Sequence, residues 1–501
     1  LNNVTFGEDI TFICSHLFAS CAGLTHIEIP DTVTSVGSSA FSGCSNLATV
    51  QFSANLTQIG DYAFYNTALT SVELPEGLLY LGRTSQNNDS GSVFRSCKKL
   101  ESVYIPSTLR ACGTASYSNF SECPKLNNVT FGEDITFICS HLFANCAGLT
   151  HIEIPDTVTS IGSYAFSGCA NLATVDIPNS VTSIGRNAFQ NCGLTSIDIP
   201  NSITRIENYT FKNCNKLVKA TIPNSVTYIG ESAFGDCGSL QTVNLPNSIN
   251  EIWECAFQNC SSLTTIDIPN SISLLRHGVF WGCANLQSVS LPNNLVSINE
   301  SLFEGCRNLA SITIPQSIRY IWNSAFRGCE SLVSVTLPDG IEEIHQHAFS
   351  GCSSLLSISI PESVGYIRSY VFNNCSSLKT IIIPEISIIE NGAFDNCKEL
   401  TDFYCYSHNV PTTWCDFSGS FIEYATLHVP ETSIEKYKNV EPWRRFKNIV
   451  ALTEKDPKPT GIMAVEVVDN ENGIIYDLSG RRVDQPSKGL FIMRGKKFVM
   501  K

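Results

Sequence analysis

The chain has 501 residues, with 32 Lys+Arg against 46 Asp+Glu and a formal net charge of −14. That acidic balance gives no electrostatic basis for binding nucleic acid or an anionic membrane, and no apolar run approaches the length of a transmembrane helix. A chain this long normally suggests about three domains, but one motif, I-P-N-S-V-T-x-I-G-x-x-A-F-x-x-C-x-x-L, recurs nearly end to end, and a repeat array grows by addition instead.

In chain order, the first feature is a duplication. Residues 1–50 and 126–175 are identical at an offset of 125, apart from Ser20/Asn145, Val36/Ile161, Ser39/Tyr164 and Ser45/Ala170. Between the copies, the polar stretch 83–92 and the stretch 111–119 depart from the motif and should bulge as loops. From Pro155 the proline column steps by 23 to Pro384, with one step of 22 into Pro200. A phenylalanine column from Phe18 to Phe394 marks 17 coils.

Residues 172–194 show one coil. Leu172, Val175 and Ile177 alternate with polar residues, so this leg reads as a short strand, which Pro178 ends because proline has no N–H for the next rung. Val181 and Ile184 fall three apart, and Gly185, Ala188, Phe189, Cys192 and Leu194 follow, with steps of three from Gly185 to Ala188 and from Phe189 to Cys192, the pattern of a tight helical return. One coil cannot bury its own apolar edge, so coils must stack.

Of the 22 cysteines, sixteen fall three residues after the column phenylalanine, from Cys21 to Cys397, with Thr67 as the break. A cysteine confined to one apolar slot acts as a small buried hydrophobe. Stacked parallel side chains do not face each other as a disulfide requires, and the chain has no C-x-x-C pair for zinc. On this reading Cys260→Ala leaves a small cavity, and Cys260→Ser costs more by burying a hydroxyl. Cys405 and Cys415 lie outside the column, close enough for a local bridge.

The repeat is expected to span 1–400, with a cap at 401–450 whose residues 434–446 read as an amphipathic closing helix. A proline-containing linker, 451–461, leads to a small β-rich module at 462–501, with strand-like pieces at 473–477, 489–493 and 497–500. From Glu471 onward, seven Lys/Arg against three acids give +4, which leaves −18 for the remainder. Leu1 falls at the first strand position of a coil, so the chain reads as a trimmed piece in which a leader would not be seen.

The strand L-x-x-I-x-I-P, the return V-x-x-I-G-x-x-A-F-x-x-C and the 23-residue period together resemble the BspA-like, or Treponema pallidum-type, leucine-rich repeat family over about residues 1–450. The cap, L-H-V-P-x-x-S-I-x-x-Y-x-x-V-x-P-W-R-R-F, is similar to the usual end of such arrays. The resemblance implies a repeat solenoid with a parallel β-sheet on the concave face and short helical or 3-10 turns on the return leg. It also implies an exported or cell-surface protein and a binding or adhesion role. The tail, I-Y-D-L-S-G-R-R-V and K-G-L-F-I-M-R-G-K-K, is similar to Bacteroidetes secretion or sorting modules, which implies that source and export.

Two stripes are candidate binding surfaces. On the strand side an outward hydroxyl ladder (Thr49, Ser71, Thr174, Ser196 and onward) is joined by His26, Glu28, His151, Glu153, Asp176 and Asp198. Ser and Thr also suit exposed strands with no ligand at all. On the return leg the glycine of early coils (Gly37, Gly60, Gly162, Gly185, Gly230) is replaced later by Trp253, Arg276, Asn299, Trp322, His345 and Arg368. Trp and Arg are enriched where partners bind, although such residues can equally stack to shield a turn.

No nucleophile or zinc-hydrolase motif surrounds any of the nine histidines, and His345 with His347 lacks a third ligand in view. The expectation is therefore a non-enzymatic monomer with no cofactor and no metal. Its partner would be a protein or glycan, host extracellular matrix among them, and a surface spacer without a ligand is the rival reading.

Overall fold

The computed structural model describes residues 4–82, 91–113 and 118–459, together with the backbone of three strands beyond them. It is a parallel-strand β-solenoid of about 19 turns. Its contacts divide it into two units, Leu1–Leu263 and Thr264–Lys501.

Most coils contribute a three-residue strand such as His151–Glu153 or Thr174–Asp176, both buried only at the central residue. Successive strands pair in parallel one repeat apart, so His151, Ile152 and Glu153 lie beside Thr174, Val175 and Asp176. The return leg carries something the periodicity does not reveal. A second strand of two residues, such as Ser160–Ile161 and Ser183–Ile184, builds a second parallel sheet. Two residues are too few to show an alternating pattern in sequence.

After the second strand the chain turns tightly rather than winding into continuous helix. Ala188, Gln190 and Cys192 donate to the carbonyls three residues back, while Asn187, Phe189 and Asn191 donate instead to Asn208, Thr210 and Lys212 of the next coil. Asn187 (φ 59°) and Asn191 (φ 57°) adopt the left-handed conformation that redirects alternate N–H groups outward. This explains the Gly and Asn at the second of these positions, for example Gly168 (φ 77°), Asn213 (φ 61°) and Gly328 (φ 71°). The column glycines answer a different demand: a Cβ on Gly185 would lie 2.5 Å from the backbone nitrogen of Ser163 in the preceding coil.

The core lies between the two sheets and the turns. Val181, Ala188, Phe189 and Leu194 are wholly buried. The phenylalanines stack in a ladder within each unit, with Phe166 and Phe189 5.4 Å apart at 8° and Phe303 and Phe326 5.6 Å apart at 16°. The ladder continues to Phe417, 5.8 Å from Phe394, a coil beyond the seventeen marked in sequence.

Of the two stretches expected to loop out, 83–90 and 114–117 lie outside the described residues. Ala111–Cys112 does not bulge. It pairs with Tyr80–Leu81 as a regular second strand, because Cys112 fills the buried slot that Leu81 fills one coil earlier.

The column cysteines are free thiols, as is every other cysteine described. At least fourteen of the sixteen are more than small hydrophobes, since the S–H donates to the carbonyl of the preceding coil's phenylalanine. Cys192 reaches the Phe166 carbonyl at 3.1 Å and Cys352 that of Phe326 at 3.3 Å. Burial pushes the Cys169 thiol up to about 12. Cys405 contacts the Tyr437 hydroxyl and Cys415 the Asp395 carboxylate, so these two thiols serve different parts of the cap and form no bridge.

In the cap, Thr426–Val429 and Asn448–Ala451 extend the first sheet. The closing helix is shorter than expected: Ile434–Lys438 is α-helical, and a separate 3-10 turn, Trp443–Arg445, follows. Pro442 has no N–H with which to continue the helix. Trp443 and Tyr437 are fully buried, and Trp443 meets Phe403 and Phe417 edge-on, closing the end of the core. Beyond the cap, the backbone of Ile475–Asp477, Gly489–Met493 and Lys496–Met500 forms an antiparallel sheet.

Two outcomes follow for the thiols. A thiol reagent should label Cys14, which is exposed, first in the native protein, and all 22 cysteines after denaturation without reductant; bridged column thiols would lower the second count. The accepting carbonyl also reverses the expected order of substitutions. Ser420 occupies the column slot of the Phe417 coil and donates to the Phe394 carbonyl, so serine fits the slot. Cys352→Ala should lose about 1–2 kcal/mol by chemical denaturation, and Cys352→Ser should stay within about 1 kcal/mol of the parent.

Candidate functional site

The first sheet directs alternate side chains outward, because only the middle residue of each short strand enters the core. His26, Glu28, His151, Glu153, Asp176 and Asp198 are all exposed there, within the first unit. The duplication reproduces one contact: His26 Nδ1 lies 2.7 Å from Thr49 Oγ1, and His151 Nδ1 lies 3.2 Å from Thr174 Oγ1. Glu153 and Asp176 are direct neighbours in the ladder, a like-charged pairing that sheets normally avoid.

The second sheet carries the other stripe, and in the second unit its side chains form one network. Trp322 stacks on His345 with ring centres 4.3 Å apart, and Tyr320 lies 6.0 Å from Trp322. His345 Nε2 is 3.1 Å from Glu343 Oε2. The same carboxylate is 3.5 Å from the Arg368 guanidinium, whose other nitrogen is 3.4 Å from Glu390. Arg368 also lies over the Tyr366 ring at 4.5 Å, and Glu390 receives the backbone N–H and hydroxyl of Ser369. Burial holds His345 below the ordinary imidazole range; Glu343 opposes that shift and Arg368 adds to it, so the ring is neutral at pH 7.

The structure thus brings Trp322, His345 and Arg368 together. Arg276 is separated from Trp322 by the coil of Asn299, whose amide donates to the Leu275 carbonyl. Trp253 belongs to the first unit. There its indole N–H donates to Glu251 at 3.0 Å, and its ring lies 6.0 Å from Tyr228, itself covered by Arg205 at 3.6 Å.

The partners that knit the network are not evident from the column alone: Glu343 and Tyr366 sit on the neighbouring outward position, and Glu390 falls in the column one residue short of the regular step. Trp414, 64% exposed, occupies the column position one coil after Glu390. A 22-residue step into Glu390 and a 24-residue step out of it hide that continuation from a search at constant period.

The arrangement offers aromatic edges, a neutral imidazole and an ion-paired guanidinium, which suits contact with a polar partner. Among the described residues no group of three or more His, Cys, Asp or Glu side chains gathers that could hold a metal ion. No described helix is long and apolar enough to cross a membrane.

Comparison with known proteins places these features. The family model described as BspA type leucine rich repeat region matches residues 1–91, 87–218, 204–333 and 320–438. Among solved structures, the chain is similar to a leucine-rich repeat protein from Bacteroides ovatus, at 22% identity over 90% of both chains with a TM-score of 0.41. It is also similar to a leucine rich cell surface protein from Faecalibacterium prausnitzii, at 29% identity over 62% of this chain and 86% of that one, with a TM-score of 0.38. A search of curated proteins gives no match. With the family model covering most of its length, the chain belongs to the BspA-type leucine-rich repeat family.

Proposed function

We propose that the chain is an exported or cell-surface binding protein that engages host or microbial macromolecules through the outward face of its second sheet. The observation that carries this reading is the contrast between a fixed core and a varied stripe. Phe, Cys and Leu repeat coil after coil, whereas the glycine position becomes Trp322, His345, Arg368 and Trp414 in the second unit. Variation restricted to outward side chains is what recognition requires of a repeat array. Trp and Arg are the residues that contribute most at such surfaces, and the stack with its two carboxylates holds them in one geometry before a partner arrives.

The strand face with His26, Glu28, His151, Glu153, Asp176 and Asp198 is the second candidate surface. A spacer without a ligand is favoured by one observation: Trp322 already stacks on His345, and His345 and Arg368 both lie against Glu343.

The readings separate experimentally. Replacing Trp322 and Arg368 together by glycine should weaken binding of the full chain to its target on an array of matrix proteins and glycans by about 2 kcal/mol or more. The melting temperature should fall only slightly, because half-exposed ion pairs contribute about 0–1 kcal/mol each. Undiminished binding would shift the site to the strand face, and a chain that binds nothing on the array is a spacer.

The imidazole supplies a second measurement. Because the pKa of His345 is lowered in the folded chain, its contribution to stability is full above the ordinary value of 6.5 and is lost as the pH falls below it. His345→Phe, which keeps the stack on Trp322, should lose less stability between pH 7 and pH 5 than the parent; an unchanged profile would show that His345 does not titrate as described.

A further inference from the structure

In the first unit two pairs of successive coils keep the column glycine, Gly37 with Gly60 and Gly162 with Gly185, and the second sheet is hollowed there. Two concavities result. One, of about 510 Å³, has Phe137, Ser140, Ser160 and Ser163 around Gly162 and Gly185. The other, of about 280 Å³, has Phe12, Ser15, Ser35 and Ser38 around Gly37 and Gly60. Ligand pockets run upward from roughly 300 Å³.

The two hollows are copies. The stretches 12–15 and 35–38 that line the smaller one are the duplicates, 125 residues earlier, of the stretches 137–140 and 160–163 that line the larger, with Val36 for Ile161 as the single change. The duplication therefore preserved most of the hollow: one glycine of its floor (Gly37 or Gly162), three serine hydroxyls and one aromatic ring, while the second glycine (Gly60 or Gly185) comes from the coil beyond it.

The chemistry of the lining selects the ligand class. The smaller hollow has no charged residue at all, and the larger has only Arg110 and Glu207, one of each sign. An ionic ligand would find no counter-charge in the smaller hollow and no net counter-charge in the larger. Serine hydroxyls both donate and accept, as sugar hydroxyls do, and none of these six is hydrogen-bonded within the chain among the described residues. Phe12 is 57% exposed, an apolar ring at the edge of a polar trough. Elsewhere in this protein serines in tight turns are consumed by neighbouring carbonyls, as Ser225 is by Ile203 and Ser248 by Val226.

We propose that these hollows are two equivalent binding sites for an uncharged saccharide chain, so that a polymer of repeated sugar units can engage both. The sites are separate from the Trp322 network and stand or fall independently of it. Two sites for one repetitive ligand raise avidity without any new contact.

Cys14 lines the smaller hollow and is the exposed thiol, which provides a direct readout. The probes are uncharged hexasaccharides built on glucose, xylose and N-acetylglucosamine, with heparin as the charged control and a Gly-Ser peptide as the rival class. At least one hexasaccharide should slow labelling of Cys14 in the full chain several-fold and bind twice per chain by calorimetry, and its long-chain polymer should bind roughly tenfold more tightly or better.

Ser35→Tyr and Ser160→Tyr should each fill one hollow without unfolding the chain, because Tyr80 and Tyr228 already occupy the same sheet position in other coils. Each variant should retain one site, and the double variant none. Failure of every hexasaccharide to protect Cys14 overturns the proposal. So does protection by the peptide or by heparin alone, and so does a stoichiometry that the tyrosines leave at two. The labelling result needs no variant, so a misfolded substitution does not rescue the idea.

Discussion

Asn187, Phe189 and Asn191 direct their N–H groups to the next coil, while Ala188, Gln190 and Cys192 between them bond within their own. This alternation is the constraint on which each unit rests. It makes every coil the hydrogen-bonding partner of the one before it, through the return leg as well as through the strands. It also requires two left-handed residues in each turn, since a continuous helix would keep all of these bonds internal. The column cysteine adds a third link of the same kind, from its thiol to the preceding phenylalanine carbonyl, as Cys192 does to Phe166. Stability of this sort is a sum over neighbours, so a residue that completes a neighbour's bonding is retained at its slot even where its own side chain is chemically unremarkable.

That constraint explains what could be read from sequence. Positions facing the core must satisfy the same geometry in every coil, so the prolines, phenylalanines and cysteines appear as columns, and the strand, its terminator and the period are legible from a single repeat such as 172–194. The second strand was hidden because it is two residues long. The left-handed positions left a trace in the Gly and Asn that recur two residues after the phenylalanine, but the other left-handed position holds Ser39, Tyr164, Cys255 and His347 and shows no common chemistry. Cys415 looked available to Cys405 by spacing alone; in space one turns toward Asp395 and the other toward Tyr437.

The candidate site was legible only as far as its column. Departure from glycine at Trp322, His345 and Arg368 can be read directly, whereas the carboxylates that orient them cannot. Glu343 and Glu390 become relevant only because one sits on the adjacent outward position and the other in the column itself, within ion-pair distance of Arg368. Column membership specifies which side chains are stacked. It does not specify which of them will turn toward each other.

The two outward faces also differ in what they can encode. On the first sheet, in-register neighbours repeat similar groups, hydroxyl beside hydroxyl and Glu153 beside Asp176, so a change at one coil is limited by repulsion or mismatch with the next. On the second sheet, neighbouring coils carry complementary groups: an indole against an imidazole, an imidazole beside a carboxylate, a guanidinium between two carboxylates. The same grammar recurs in the first unit, where Arg205 covers Tyr228, Tyr228 approaches Trp253, and Trp253 donates to Glu251. A stack of complementary pairs can be rewritten pair by pair without disturbing the core beneath it. A stack of identical groups can only be rewritten as a whole, so the return leg can vary from coil to coil more freely than the strands.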